Sequence, residues 1–288
     1  MKIQDLNDVI RIANMSFPFT GRRPSVIGPY VIDRLYNDPN FQFVALIGGR
    51  IVGFITCKRQ NKKDAELTYI AVHPNYRGIG IGRKLVHALE NKLKSYKYER
   101  VWLVTQPMAK NFYIRLGYRV FRITYRLGYE LLDKNIEIPN NVNFKNATLN
   151  EILSFIKFIK NWNIPLTYFI KVYEKEPDKA LIVSRNDNEI GFIIAETDEY
   201  NRDLLIIRYF WSRNDTVDDF LTLINSIMYI ASLKGYRWLG ISLSNNTLVN
   251  ELKKREWIEN PLPTFMNIIY MEKYFIRNNS TENNYSKS

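Results

Sequence analysis

A chain of 288 residues, 46% hydrophobic and 24% charged, has the balance of a folded protein of one large domain or two ordinary ones, which excludes disordered, collagenous and fibrous classes. A single cysteine, Cys57, and two histidines, His73 and His87, exclude a disulfide scaffold, a multi-thiolate zinc site and a histidine-rich centre, so no metal is expected. The net charge of +12 is concentrated in residues 76–126, where twelve Lys/Arg face only Glu90 and Glu99; such a basic segment suits nucleic acid or a small polyanion.

The first residues, Met1 to Asp8, carry acids and no apolar h-region, and no apolar run reaches the ~18 residues of a membrane span. A cytoplasmic protein without a membrane partner is expected. Gln42–Ile47 and Ile51–Cys57 read as strands joined at Gly48-Gly49 in a tight hairpin. Leu67–Val72 is a third strand, ended by His73-Pro74-Asn75. From Gly80 to Ser95, Leu85, Ala88, Leu89 and Leu93 recur at helical spacing, with Lys84, Asn91, Lys92 and Lys94 opposite. Val101–Val104 is a strand, and Met108–Leu116 a short helix ended by Gly117. Tyr118–Leu131 reads as a strand pair with Gly128 inside it.

The pattern lapses near Asp133 and then repeats. Ala180–Val183, a turn at Arg185–Asn188 and Ile190–Ile194 echo the first hairpin, with Gly191 138 positions after Gly53. Leu204–Trp211 echoes the third strand. A helix over Val217–Leu233, a strand over Trp238–Ser242 and a helix over Asn246–Arg255 follow, with Arg237 137 positions after Arg100. The expected organisation is a first domain over 1–132, a linker over 133–144, a second domain over 145–275 and a disordered tail over 276–288.

The stretch Ile70-Ala71-Val72-His73-Pro74-Asn75-Tyr76-Arg77-Gly78-Ile79-Gly80-Ile81-Gly82 runs strand, glycine-rich turn, helix. Its glycines let successive backbone N–H groups converge, and the helix start adds free N–H groups and the positive end of its dipole. The result is a phosphate cradle, flanked by Arg77 and Arg83. It has neither the Walker lysine pattern nor the dinucleotide spacing.

In this context residues 1 to about 130 resemble the GNAT superfamily of N-acetyltransferases. Arg77, Gly80 and Gly82 meet the family's Arg/Gln-x-x-Gly-x-Gly/Ala motif. Ala109-x-x-Phe112-Tyr113-x-x-Leu116-Gly117-Tyr118 resembles its second signature. The resemblance implies an α/β (α+β) fold of two tandem mixed-sheet domains with flanking helices, only the first binding acetyl-CoA. It implies that backbone groups of Ile70, Ala71 and Val72 hold the pantetheine arm, and that Gly78, Ile79, Gly80, Ile81, Gly82 and Arg83 hold the pyrophosphate. A bulge would splay this strand from the next to seat the thioester, with the Ile70 N–H facing its oxygen. Gln106 stands where the family usually has Asn, which leaves its cofactor contact open.

An alkyl ammonium, pKa ~10.4, must lose a proton before it attacks. Glu66 lies four residues before Ile70, the position of the general base in the superfamily's histone acetyltransferases; a solvated strand-start carboxylate is the bland alternative. Tyr113 matches the family's general acid, four residues before Gly117, against the alternative of a packing tyrosine. Phe17, Phe19 and Arg22, between two predicted helices, fall where the family often lines its acceptor pocket; a rigid connecting loop is the alternative. His73 reads as a strand-end cap, His87 as a surface residue and Cys57 as core.

The second half has no glycine cradle. Asp215, Asp218 and Asp219 occupy the equivalent place and would repel a pyrophosphate, and its last helix lacks a tyrosine equivalent to Tyr113. It reads as a degenerate GNAT-like domain that binds no cofactor and helps shape the acceptor cleft. The leading function is acetyl transfer from acetyl-CoA to a primary amine of a small molecule, peptide or protein, by direct attack in a ternary complex. A non-catalytic acyl-CoA sensor is the alternative, and nucleic-acid binding is disfavoured because no recognition helix is evident. The acceptor and the oligomeric state are not legible.

Overall fold

The computed structural model describes residues 1–17, 24–156 and 166–275. The chain divides into two compact units: Met1–Ile123 with the residues from Ile268 on, and Thr124–Asn267. The first unit begins with α1 (Leu6–Ser16) and α2 (Pro24–Asn37). It continues through β1 (Phe43–Ile47), β2 (Arg50–Arg59), β3 (Asp64–Val72), α3 (Ile81–Ser95), β4 (Arg100–Thr105) and α4 (Pro107–Ile114) to β5 (Arg119–Glu130), whose second half belongs to the second unit. The second unit adds β6 (Val142–Asn146), α5 (Leu149–Ile156), α6 (Leu166–Lys175), β7 (Ala180–Arg185), β8 (Asn188–Thr197), β9 (Leu204–Ser212), α7 (Val217–Leu233), β10 (Trp238–Leu243), α8 (Asn246–Lys253) and β11 (Ile258–Glu259). The last strand, β12 (Ile268–Tyr274), is part of the first unit. The mixed α/β expectation holds, and among the described residues no helix is long and apolar enough to cross a membrane.

In the first unit β1, β2 and β3 pair antiparallel, β3 and β4 parallel, and β4 and β12 antiparallel. Helices α3 and α4 cover one face through Leu85, Val86, Leu89, Leu93 and Tyr113; α1 and α2 cover the other through Val9, Ile12 and Val31. Each of these fully buried aliphatic side chains contributes about 1.5–3 kcal/mol. Ala88, expected on the apolar face of α3, is exposed.

The second unit repeats the plan. β7, β8 and β9 pair antiparallel, β9 and β10 parallel, and β10 pairs antiparallel with the second half of β5. Its sheet lies between α7/α8 and α5/α6. The repeat extends to register: Gly53 pairs with Val72 and Phe54 with Ala71, as Gly191 pairs with Ser212 and Phe192 with Trp211.

Three further sequence expectations change. β5 is one unbroken strand and does not turn at Gly128; the glycine is needed because a Cβ there would lie 2.5 Å from Pro261. The unit boundary falls at Ile123/Thr124, inside β5, so the expected linker 133–144 lies within the second unit and its end is already β6. The closing strand β12, in the stretch assigned to the second domain, is packed in the first unit: Lys273 Nζ pairs at 2.9 Å with the buried Glu90 of α3 and donates to the Leu116 carbonyl at 2.8 Å. The tail 276–288 lies outside the described residues.

Candidate acyl-transfer site

Strand β3 carries a bulge. Thr56 pairs with Tyr69 but Cys57 with Leu67, so Thr68 is the extra residue. The consequence is a change of face: Ala65 and Leu67 point into the α3/α4 core, whereas Tyr69 and Ala71 point to the α1/α2 side. Pairing of β3 with β4 stops at the same place, at Leu67/Leu103, although β3 runs on to Val72 and β4 to Thr105. The two strands therefore part beyond the bulge.

Beyond it the His73 N–H donates to the Val52 carbonyl at 2.9 Å, which fixes the antiparallel phase. By alternation Ala71 and Tyr69 also bond β2, and the backbone groups of Ile70 and Val72 face the opening. The Arg77 Nε donates to the Val72 carbonyl at 3.0 Å, as this phase requires. Of the three residues expected to present backbone to a ligand, Ile70 and Val72 have their backbone groups directed away from β2, whereas the amide and carbonyl of Ala71 are in phase with Phe54 of β2.

The glycine-rich turn follows. Gly78 and Gly80 have φ of +82° and +87°, where a side chain is strained, and a Cβ on either would meet nothing within 4 Å. Gly80 is the N-cap of α3, and no side chain caps that helix start. Free first-turn N–H groups, open space above them and a basic surround suit a pyrophosphate. Arg77 is tethered by Val72 and by Ser16 Oγ at 3.2 Å, while Arg83 is exposed. The Ile79 side chain is exposed and that of Ile81 is buried. Gly82 has a packing role besides, since a Cβ there would lie 3.4 Å from the Phe112 ring of α4.

Tyr113 lies in the core between the rings of Phe112 at 5.0 Å and Tyr118 at 5.7 Å. Burial pushes its hydroxyl well above the usual phenol range. Gln106 is the half-buried N-cap residue of α4, and its side-chain amide takes no part in the cap.

On the α1/α2 face Glu66 accepts from Gln60 Nε2 at 2.6 Å and stands beside Trp102 in the β3–β4 register. Nearby lie Tyr30, Tyr69, Thr56 and Thr68, which sequence reasoning did not single out, beside Phe17, which it did. The rings of Tyr30 and Phe17 meet Tyr69 edge-on at 5.0 and 5.9 Å, and Thr56 and Thr68 share a 2.9 Å hydrogen bond. Burial raises the Tyr30 hydroxyl, and a hydrogen bond with Thr68 opposes the rise. Tyr69 and Thr68, next to Ile70 on an identified strand, were the available signal. Of the acceptor-side residues expected from sequence, Phe17 reaches this cluster; Phe19 and Arg22 lie outside the described residues.

His73 Nδ1 accepts from the Asn75 N–H at 3.3 Å, a local cap, and His87 is half-exposed beside Glu90. Cys57 is fully buried, and burial pushes its thiol well up.

The second unit keeps the bulge, at Arg208, and its parallel pairing stops at Ile207/Ile241. The cradle is replaced. Thr216 caps α7 by accepting from the Asp219 N–H at 3.1 Å, and Arg185 pairs with Asp218 at 2.7 Å and Asp219 at 3.2 Å. That helix start is satisfied from within and carries acids where a phosphate would sit.

Residues 6–118 match the acetyltransferase (GNAT) family. An acetyltransferase of Sodalis glossinidius is 30% identical over 103 residues, 35% of this chain and 72% of that protein. The N-alpha-acetyltransferase 30 of Schizosaccharomyces pombe is 33% identical over 95 residues, 31% of this chain and 63% of that protein. An uncharacterized N-acetyltransferase of Porphyra purpurea is 29% identical over 69 residues, 24% of this chain, and the chain spans 40% of its length. The fold of the whole chain is similar to a GCN5-related N-acetyltransferase from Sphaerobacter thermophilus, with a TM-score of 0.58, 14% identity and coverage of 95% and 94% of the two chains. It is also similar to a tandem GNAT protein from the clavulanic acid biosynthesis pathway, with a TM-score of 0.54, 12% identity and coverage of 94% and 95%.

Proposed function

Because the chain belongs to the GNAT family of acetyltransferases, we propose that its first unit transfers an acetyl group from acetyl-CoA to a primary amine by direct attack in a ternary complex. The observation that carries this reading is the parting of β3 from β4 at the Thr68 bulge, directly ahead of the Gly78–Gly80 cradle. Acetyl-CoA supplies an activated thioester. Ile70 and Val72 bind the pantetheine arm through backbone groups, as an added strand would. The N–H groups of Gly78 to Arg83 receive the pyrophosphate, with Arg77 braced beside them, and the Gln106 amide, which takes no part in the α4 cap, is the further candidate cofactor contact.

Glu66 takes the proton from the incoming ammonium, directly or through water. The Ile70 N–H donates to the oxygen on which negative charge develops. Tyr113 donates a hydrogen bond to the departing sulfur. Its raised pKa keeps the phenol protonated; complete transfer to a thiolate of pKa ~8.5 is uphill, so its part is stabilisation by a short donor. Phe17 and the Tyr30–Tyr69 cluster line the acceptor side. The second unit, acid-capped where the first has its cradle, binds no CoA.

The test is release of free CoA thiol from acetyl-CoA with a panel of amines, polyamines and short peptides, run beside a thermal-shift titration with CoA. Amine-dependent thiol release together with a CoA-induced rise in Tm is expected. A rise in Tm with no release from any amine refutes the catalytic part; no rise refutes the site.

A further inference from the structure

The basic segment 76–126 is only partly used by the cradle. Arg100 pairs with Asp64 at 3.0 Å and Glu272 at 3.3 Å, and Arg119 pairs with Glu272 at 2.9 Å. These four groups compensate one another. Arg122 differs: it is exposed, and among the described residues it makes no ion pair or hydrogen bond. Its guanidinium lies 3.7 Å from the ring centroid of Tyr270.

The surface around it belongs to the first unit. Val101, Leu103, Ile269 and Met271 are buried in the α3/α4 core, so alternation puts Trp102, Val104, Tyr270 and Glu272 on the other face. That is the face of Glu66, which neighbours Trp102 in register. Val104, 44% exposed, pairs with Tyr270, and Phe121, 45% exposed, meets the Tyr270 ring at 6.1 Å. Val104 lies just past the last β3–β4 pair, at the lip of the opening. An apolar and aromatic strip thus leads from the lip across β4 and β12 to a single uncompensated guanidinium.

Stacking on a ring holds a guanidinium flat and leaves its in-plane N–H donors free at the rim, the arrangement that receives a carboxylate through two parallel hydrogen bonds. From the middle of the opening to β12 is about two strand spacings, ~10 Å. An extended peptide covers that in about three residues. We propose that Arg122 selects the acceptor: a primary amine bearing a carboxylate about 10 Å away across an apolar body, the dimensions of a short peptide with a free C-terminus. This rests on the acyl-transfer reading of the same unit, and it names the acceptor class.

The experiment measures binding, not turnover. Alanyl-phenylalanyl-phenylalanine and its C-terminal amide are titrated into the CoA-loaded full chain by calorimetry. The acid should bind roughly 10- to 100-fold more tightly than the amide, the range of a charge-assisted pair. Arg122→Gln should abolish the difference without weakening the amide, and Arg122→Lys should restore part of it. Equal affinity in the wild type, absence of binding by the acid, or a preference that survives in Arg122→Gln overturns the assignment. CoA loading is followed separately by the Tm rise, so failure here is distinct from failure of the CoA site.

Discussion

Replacing Gly80 by aspartate separates the strain of the turn from the chemistry of the cradle. Gly80 sits at φ +87° with open space beyond its Cα, so a side chain meets no clash and the cost is conformational, about 1–2 kcal/mol. A carboxylate at a helix N-terminus returns about 0.3–1 kcal/mol through the dipole. The net loss is about 1 kcal/mol, a Tm decrease of about 2–4 °C. Ligand response should change far more. CoA at 100 times its Kd stabilises the wild type by about 2.7 kcal/mol, or about 5–10 °C. In Gly80→Asp the carboxylate occupies the space of the pyrophosphate and repels it, so the CoA-induced rise should vanish while the unliganded protein stays folded. Gly80→Ala carries the same strain without charge and should keep part of the rise. Differential scanning fluorimetry with and without CoA reads all three. A wild-type rise in Gly80→Asp would mean that the phosphates lie elsewhere.

Other expectations follow from the same geometry. Tyr113→Phe removes one hydroxyl from a packed ring, so CoA should still raise its Tm while kcat falls roughly 10²-fold; an unchanged kcat with a confirmed acceptor removes Tyr113 from the mechanism. Because burial holds that hydroxyl well above the ordinary phenol range, it stays protonated as pH rises, and the wild type should show no loss of rate from its ionisation below about pH 10. Glu66→Gln should be slowed most at low pH, where the amine is most protonated, and should recover as pH rises; a wild-type to variant ratio constant across pH indicates an orienting carboxylate. Glu90→Gln leaves the partly buried Lys273 ammonium with the Leu116 carbonyl but without its carboxylate and should cost about 1.5–3 kcal/mol in urea unfolding, whereas Glu90→Leu with Lys273→Met should recover most of that; a single variant within about 0.5 kcal/mol of wild type would show the pair to be solvated.

Much of the candidate site's local geometry was legible because it is written in local chemistry. The Gly78–Gly82 turn, the helix after it and the tyrosine of the second signature are short-range features, and α3, α4 and α7 fall within a few residues of where periodicity puts them. The duplication was legible too, through Gly53 and Gly191, and the pairing of each with its neighbour strand is equivalent. What failed to read was non-local. Ala71 looks like Ile70 and Val72 in sequence; only the bulge at Thr68 and the phase set by His73 and Val52 give its amide to β2. Gly128 looks like a turn because nothing nearby announces Pro261. Tyr30 and Arg122 each meet a ring more than 35 positions away, Tyr69 and Tyr270.

The crossing of β5 and β12 has a consequence for how the molecule is made. The first unit is the first to leave the ribosome, yet β4 pairs with β12 through contacts such as Thr105 with Ile269. The second unit draws its closing strand from β5, already synthesised when β10 emerges. The half that matches the acetyltransferase family is therefore the last to be completed. Until residues 268–274 appear, β4 presents a bare edge of unpaired N–H and C=O groups, the kind of surface that recruits another strand or a chaperone. Closing a loop that long adds an entropic cost that grows only with the logarithm of its length, so the arrangement penalises the folding rate more than the final stability. Chains cut short before Ile268 would carry every residue of the cradle, with Glu66 and Tyr113, and still lack a finished sheet to hold them.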